Sequence, residues 1–118
     1  MAGRSSRPRS KRANAQPLAP VGPNVVVRLS GHAAERFFER FVARGVTKDH
    51  LVASIRVPNM KRKDEWDPDF PGERIRRWVR LVDGSGKLLT VRVVFIVGTG
   101  ADDRNAIEVV TLILEHER

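Results

Sequence analysis

The sequence contains no cysteine, which excludes disulfides, cysteine-based zinc sites and thiol nucleophiles. It also lacks any apolar run of about 18 residues, the length that a membrane-spanning helix requires. No apolar stretch follows the basic start of the chain, so we expect no secretory signal. What is present is a chain of 118 residues, which is the size of one ordinary domain and is long enough to bury a core.

Acidic residues are absent from the first 24 positions, where five basic residues stand among four prolines. Such a segment has too few apolar side chains to offset the entropy of ordering, so we expect residues 1–24 to form a disordered basic arm. It would serve either as a solubilising linker or as a non-specific nucleic-acid arm. The whole chain has 22 basic and 14 acidic residues, a net charge of +8, which favours a polyanionic partner, nucleic acid before an anionic membrane.

Residues 25–118 have the hydrophobic periodicity of a folded domain. The patterns predict, in order, a first strand (24–29), a helix (31–44) capped by Ser30 and ended by Gly45, a helix (48–56) capped by Thr47, a loop (57–73), and strands at 74–82, 88–97 and 107–114. Turns at 83–86 and 98–105 separate the last three strands. The predicted class is α+β, in the order (β)-α-α-β-β-β, with two N-terminal helices on one face of an antiparallel sheet.

A stripe of basic residues marks the first predicted helix. His32, Arg36, Arg40 and Arg44 recur every four residues and so fall within about 120° of one another on the helix. We call these four residues the basic stripe. One interpretation is a solvated outer face, in which Glu39 pairs with Arg36.

The other interpretation of the basic stripe is chemical. The helix N-terminus and Arg36 both disfavour a charged imidazole, so His32 would be neutral and able to accept a proton. A neutral histidine beside guanidinium groups suits metal-free RNA cleavage. The base removes the proton of a ribose 2′-OH, and the arginine stabilises the charge that grows on the phosphate. No metal or other cofactor is needed for this reaction.

The stretches at 30–40 and 44–51, with Val-Val-Thr at 109–111, resemble a bacterial family of small RelE-like domains. This family looks like part of the barnase–EndoU–colicin–RelE superfamily of ribonuclease toxins, and BrnT-type toxins have a similar layout. The resemblance covers about residues 29–114. Four residues, 41–44, separate Arg40 from Gly45 where the family usually has Arg-Gly directly, so either Arg40 or Arg44 is the counterpart of the family's arginine.

The resemblance implies a RelE-like fold and a ribonuclease toxin acting in the cytoplasm, either in a toxin–antitoxin pair or as the last domain of a secreted effector. It also implies a cognate antitoxin or immunity protein with an acidic contact face. By the same resemblance, His32, Arg36 and Thr111 match the superfamily's catalytic positions, and Arg40 or Arg44 would assist in binding RNA. The Thr111 hydroxyl would bond a phosphate oxygen.

A second basic patch lies on the strand predicted at 74–82. Strand alternation puts Arg76, Trp78 and Arg80 on one face, and Arg92 of the next strand would join them. Arginines beside a tryptophan make a platform on which a nucleobase can stack. The alternative is that Trp78 packs under a loop while the arginines extend to solvent.

Three functions therefore remain open. The first is a metal-independent endoribonuclease with RNA as its substrate. The second is a non-catalytic nucleic-acid-binding module. The third is a basic domain that docks an acidic protein. His116, near the end of the chain, would be a surface residue or a general acid, and the acidic residues of 64–69 lack the pattern of a calcium loop.

Overall fold

A computed structural model describes residues 16–98 and 105–117, and it confirms an α+β fold. In chain order the elements are β1 (Val26–Leu29), α1 (Gly31–Arg40), α2 (Lys48–Arg56), β2 (Glu65–Trp66), β3 (Ile75–Val82), β4 (Leu88–Val97) and β5 (Ala106–Glu117). The arm residues 1–15 and most of the turn predicted at 98–105 lie outside the described residues. Within the described part of the chain, no helix is long and apolar enough to cross a membrane.

The sheet corrects the prediction in two respects. Its strand order is β1-β5-β4-β3-β2, and β1 runs parallel to β5, so the sheet is mixed rather than antiparallel. Two helices and two hairpins separate β1 from β5. This connection is long enough for the two strands to run either parallel or antiparallel, so local sequence does not determine their relative direction. The sheet also has one strand more than predicted, because β2 lies in the segment predicted as a loop. It consists of Glu65 and Trp66, which pair with Arg76 and Ile75 of β3.

One face of the sheet carries both helices and the core. Ala33 and Phe37 of α1 pack with Leu51 and Ile55 of α2 against alternate residues of the three long strands. No helix of the described residues covers the other face, and we call it the open face. One aromatic residue of α1 lies outside the core. Phe38 is 71 % exposed, because its position lies outside the arc that faces the sheet.

The first helix begins as predicted and ends early. Ser30 Oγ accepts a hydrogen bond from the Ala33 backbone N–H at 3.1 Å, which confirms it as the N-cap. The predicted helix of residues 31–44 is wrong at its end, since α1 stops at Arg40 and a 3-10 turn follows at Val42–Arg44. The cause is a tertiary contact, in which the Gly84 N–H of the β3–β4 hairpin donates to the Arg44 carbonyl at 2.8 Å.

Gly45 lies at this contact with a φ of +86°, a conformation that favours glycine. A Cβ at this position would lie 2.9 Å from both the Cα and the N of Gly84. We therefore expect Gly45→Ala to lower the free energy of unfolding by about 1–3 kcal/mol, measured by urea denaturation. The control is Gly31→Ala, whose Cβ would meet nothing within 4 Å. If the two variants are equally stable, the Gly45–Gly84 contact does not position the hairpin.

The second helix and the long strand β4 match their predicted bounds, Lys48–Arg56 and Leu88–Val97. Thr47 Oγ1 accepts from the His50 N–H at 3.1 Å, which confirms the predicted N-cap. The hairpin after β3 is held by Asp83. Its Oδ1 accepts hydrogen bonds from the Ser85 hydroxyl at 2.7 Å and from the N–H groups of Ser85 and Lys87 at 2.9 Å each.

These hydrogen bonds make the hairpin sensitive to acid. The Ser85 hydroxyl, with the two backbone N–H groups and the Arg44 charge, holds the pKa of Asp83 below its ordinary value of 3.8, while burial acts in the opposite direction. Because the pKa is lowered in the folded state, the carboxylate stabilises the fold above pH 3.8 and ceases to do so as the pH falls through the folded pKa. We expect Asp83→Asn to be less stable than the wild type at neutral pH, and this deficit to shrink below pH 3.8 in urea titrations. A deficit that does not change with pH would contradict this.

A buried arginine links four parts of the chain. Arg77 of β3 points into the core face and is 1 % exposed. Its Nη2 lies 2.7 Å from Asp64 Oδ2, its Nη1 donates to the Ile55 carbonyl at 2.7 Å, and its Nη2 also donates to the Pro20 carbonyl at 3.3 Å. In addition, the Gly22 N–H donates to the Arg56 carbonyl at 2.8 Å. Residues 16–24, which the sequence assigned to the arm, therefore pack onto the domain.

Candidate functional site

The first two turns of α1 present His32 and Arg36 together. Arg36 Nε donates to His32 Nε2 at 3.4 Å, and this contact is open to solvent. One helical turn separates the two residues, so the helix itself brings the side chains together. In this contact the guanidinium is the donor and the Nε2 lone pair is the acceptor.

The position of this pair is fixed by Ser30. The Ser30 hydroxyl caps α1 and also donates to the Val110 carbonyl at 3.1 Å. The Ser30 N–H donates to the Val109 carbonyl at 2.9 Å. These bonds hold the start of α1 against β5 at the irregular pairing where Val109 and Thr111 face consecutive residues of β4. His32 is therefore carried by a rigid helix start rather than by a loop.

The rest of the basic stripe does not form one continuous row. Arg40 ends α1 and is exposed, whereas Arg44 lies in the 3-10 turn, where its charge acts on Asp83 of the β3–β4 hairpin. The predicted pairing of Glu39 with Arg36 is not formed, because Arg36 turns toward His32. Among the described residues, Arg36 and Arg40 form no salt bridge, so both guanidinium groups are available to an anion.

Thr111 is not brought into contact with this pair. It pairs with Val94 of β4, between core-facing Val93 and Phe95, so its side chain lies on the open face. Helix α1 packs on the opposite face. The resemblance grouped Thr111 with His32 and Arg36, but within the described residues no hydrogen bond joins it to either of them.

The second predicted patch is assembled on the open face. Arg76, Trp78 and Arg80 alternate with core residues of β3, and Trp78 pairs directly with Arg92 of β4. The predicted placement of these four residues on one face is therefore confirmed. Two of the arginines are neutralised, since Arg76 Nε lies 3.9 Å from Asp67 Oδ2 and Arg92 Nε lies 3.1 Å from Glu115 Oε1.

Trp78 is covered rather than presented to solvent. Its side chain is 1 % exposed, and the guanidinium carbon of Arg62 lies 3.5 Å from the centre of its ring. The indole Nε1 donates to Glu115 Oε1 at 3.4 Å. The structure thus has the tryptophan packed under a loop residue, which was the alternative to an open stacking platform.

Sequence reasoning missed Arg62 and Glu115 because each reaches Trp78 from a distant part of the chain. Arg62 belongs to a basic run in the segment predicted as a loop, and Glu115 follows the last predicted strand, 107–114, although the observed strand β5 continues to Glu117. Only the strand register places them beside the ring. His116 lies on the same face and lines a small cavity of about 50 Å³ with Arg80, Leu88 and Thr90.

Comparison of the chain with protein-family models, with curated proteins and with solved structures finds no match. The RelE-like expectation therefore depends on the motifs alone. Among the described residues, no group of three or more histidine, aspartate or glutamate side chains is arranged to hold a metal ion.

Proposed function

We propose that this chain is a metal-independent endoribonuclease of the RelE-like kind, with its reactive centre at His32 and Arg36. The observation that carries the proposal is the exposed contact of 3.4 Å between His32 Nε2 and Arg36 Nε. It combines a proton acceptor and a fixed positive charge at one helix start. The net charge of +8 supports a polyanionic substrate.

The reaction begins when a phosphate of RNA approaches Arg36. A charge-assisted bond from a guanidinium to a phosphate is stronger than its long bond to a neutral imidazole, so Arg36 turns to the phosphate and Nε2 becomes free. His32 Nε2 then takes the proton of the ribose 2′-OH, and the 2′ oxygen attacks the adjacent phosphorus. The bond from phosphorus to the 5′ oxygen breaks, and water protonates the leaving oxygen. The products carry a 2′,3′-cyclic phosphate and a 5′-OH.

Arg36 and Arg40 stabilise the charge that develops on the non-bridging phosphate oxygens. Arg40 follows Arg36 by one helical turn and has no carboxylate partner among the described residues, so it is the member of the basic stripe best placed to assist. Arg44 is turned to the hairpin. Thr111 faces away from the helices, and no step of this mechanism uses it.

The biological setting follows from the same proposal. By the resemblance to RelE-like domains, such a ribonuclease would act as a toxin in the cytoplasm, either beside an antitoxin or after delivery as part of a secreted effector. Its inhibitor would be a protein with an acidic contact face, and the positive charge of the chain would speed the encounter of the two. Docking of an acidic protein alone, without catalysis, uses the same free guanidinium groups of α1.

A second candidate function is non-catalytic RNA binding through the open face. It is favoured by the placement of Arg76, Arg80 and Arg92 around Trp78 on a sheet face that carries no helix. The catalytic proposal ranks above it because Arg76 and Arg92 are already paired with carboxylates, whereas Arg36 and Arg40 are not.

The proposal is tested by incubating the purified chain with total bacterial RNA in EDTA. We expect cleavage that leaves 2′,3′-cyclic phosphate ends. Salt-sensitive binding without cleavage, on free RNA and on ribosomes, would favour the binding module. Neither binding nor cleavage would favour the docking of an acidic protein.

A further inference from the structure

Trp78 is deeply buried although it lies on the face of the sheet that no helix covers. Its exposure of 1 % results in part from the guanidinium of Arg62, whose central carbon lies over the ring, 3.5 Å from its centre. Arg62 precedes β2 and does not belong to the sheet. A single side chain from a connecting segment thus lies over the largest aromatic surface of the open face.

This cover is weakly held. The Arg62 side chain is 50 % exposed, and its salt bridge joins it to Glu65, 53 % exposed, at 3.6 Å. Salt bridges between half-exposed partners three residues apart contribute little to stability. Arg62 can therefore leave the ring without disturbing the core.

The ring beneath is held firmly. Its Nε1 donates to Glu115 Oε1 at 3.4 Å, and Glu115 is in turn 3.1 Å from Arg92 Nε. Trp78 pairs with Arg92 across β3 and β4, which fixes its position in the sheet. Arg80, two residues along the same face, is exposed and has no salt bridge among the described residues. The ring is thus a rigid flat surface beside an available cation.

We propose that Trp78 is a closed stacking site for a nucleobase of single-stranded RNA, and that Arg62 is its removable cover. The inference depends on the proposed function only in taking RNA as the ligand. A base stacks on an indole more strongly than an exposed guanidinium does, so a base displaces Arg62. Arg80 then neutralises a neighbouring phosphate, and the displaced Arg62 remains close enough to contact the RNA backbone.

The test removes the cover and measures binding. The probe is a short single-stranded 2′-O-methyl oligonucleotide, which cannot be cleaved through a 2′-OH. Binding is followed by the fluorescence of Trp78 in a Trp66→Phe background, because the chain has two tryptophans. Arg62→Ala is compared with Lys63→Ala, which removes the same charge from the neighbouring exposed position.

Loss of a cation ordinarily weakens RNA binding. Lys63→Ala measures that loss alone, whereas Arg62→Ala also uncovers Trp78, so the difference between the two variants measures the effect of the cover. We expect Arg62→Ala to bind about two- to five-fold more tightly than Lys63→Ala, since the base no longer competes with the cation–π contact. We also expect the oligonucleotide to quench Trp78. In the Arg62→Ala background, Trp78→Leu should reverse the gain when binding is measured by polarisation of a labelled oligonucleotide.

Equal weakening by Arg62→Ala and Lys63→Ala, or binding without quenching, would overturn the stacking site, as would a failure to bind. The outcome is separable from that of the proposed function. Cleavage that requires His32, together with no quenching of Trp78, would leave the ribonuclease proposal standing and remove this one. Quenching of Trp78 and tighter binding by Arg62→Ala, together with cleavage that does not require His32, would support the stacking site and remove the ribonuclease proposal.

Discussion

His32→Ala is expected to slow RNA cleavage in EDTA by about 10²–10⁴-fold, the usual contribution of a positioned general base. His32 Nε2 is the exposed acceptor that Arg36 contacts at 3.4 Å, and alanine leaves no group there to take the 2′-OH proton. The measurement is the initial rate of formation of 2′,3′-cyclic phosphate ends. RNA binding should change little, because the substitution removes none of the arginine charges that attract RNA.

The matched control is His50→Ala. His50 also lies in the first turn of a helix, but in α2, where no arginine of the basic stripe adjoins it. We expect this variant to cleave at the wild-type rate. Equal loss in the two histidine variants would indicate a structural effect, and an undiminished rate in His32→Ala would remove the pair from the mechanism.

The elements that sequence could predict are those whose signals are local. Strand β4 is a run of β-branched residues bounded by turn signals, and its observed bounds match the prediction. Helix α2 has its cap at Thr47 and a proline soon after its end, and it too is matched. The Ser30 cap and the register of His32 and Arg36 are local as well, so the pair itself was predictable.

Other features depend on contacts between distant parts of the chain. The apolar period of α1 continues through Val42, but the approach of Gly84 to Gly45 ends the helix at Arg40 and diverts Arg44. Strand β2 has two residues, too few for a pattern, and forms because β3 offers an edge. The cover of Trp78 by Arg62 joins a loop to a strand, and no spacing in the sequence encodes it.

The placement of charge separates the two candidate surfaces. On α1, Arg36 and Arg40 are without carboxylate partners among the described residues, whereas on the open face Arg76 and Arg92 each face a carboxylate. Helix α1 thus offers two such guanidinium groups one turn apart, whereas of the three arginines around Trp78 only Arg80 lacks a carboxylate partner among the described residues. This is why we propose catalysis at α1 and base recognition at the open face, which offers an aromatic ring beside one available cation.

Asp64→Ala is expected to lower the free energy of unfolding by about 3–5 kcal/mol, since it leaves a buried charge without its partner. Arg77 is 1 % exposed in its side chain and Asp64 14 %, and they are 2.7 Å apart. The carbonyls of Ile55 and Pro20 remain, but neither carries a compensating charge. In a domain of this size the midpoint of thermal unfolding should fall by about 10–20 °C, measured by circular dichroism.

The control for this loss is Asp69→Ala, which removes an exposed carboxylate from the same connecting segment. We expect it to change stability by less than about 0.5 kcal/mol. The double variant Asp64→Ala with Arg77→Met also removes the buried charge that has lost its partner. It should recover much of the lost free energy of unfolding, because buried ion pairs are often replaceable by apolar side chains. If Asp64→Ala is as stable as Asp69→Ala, then the hydrogen bonds to the two carbonyls, not the ion pair, hold residues 16–24 and α2 against β3.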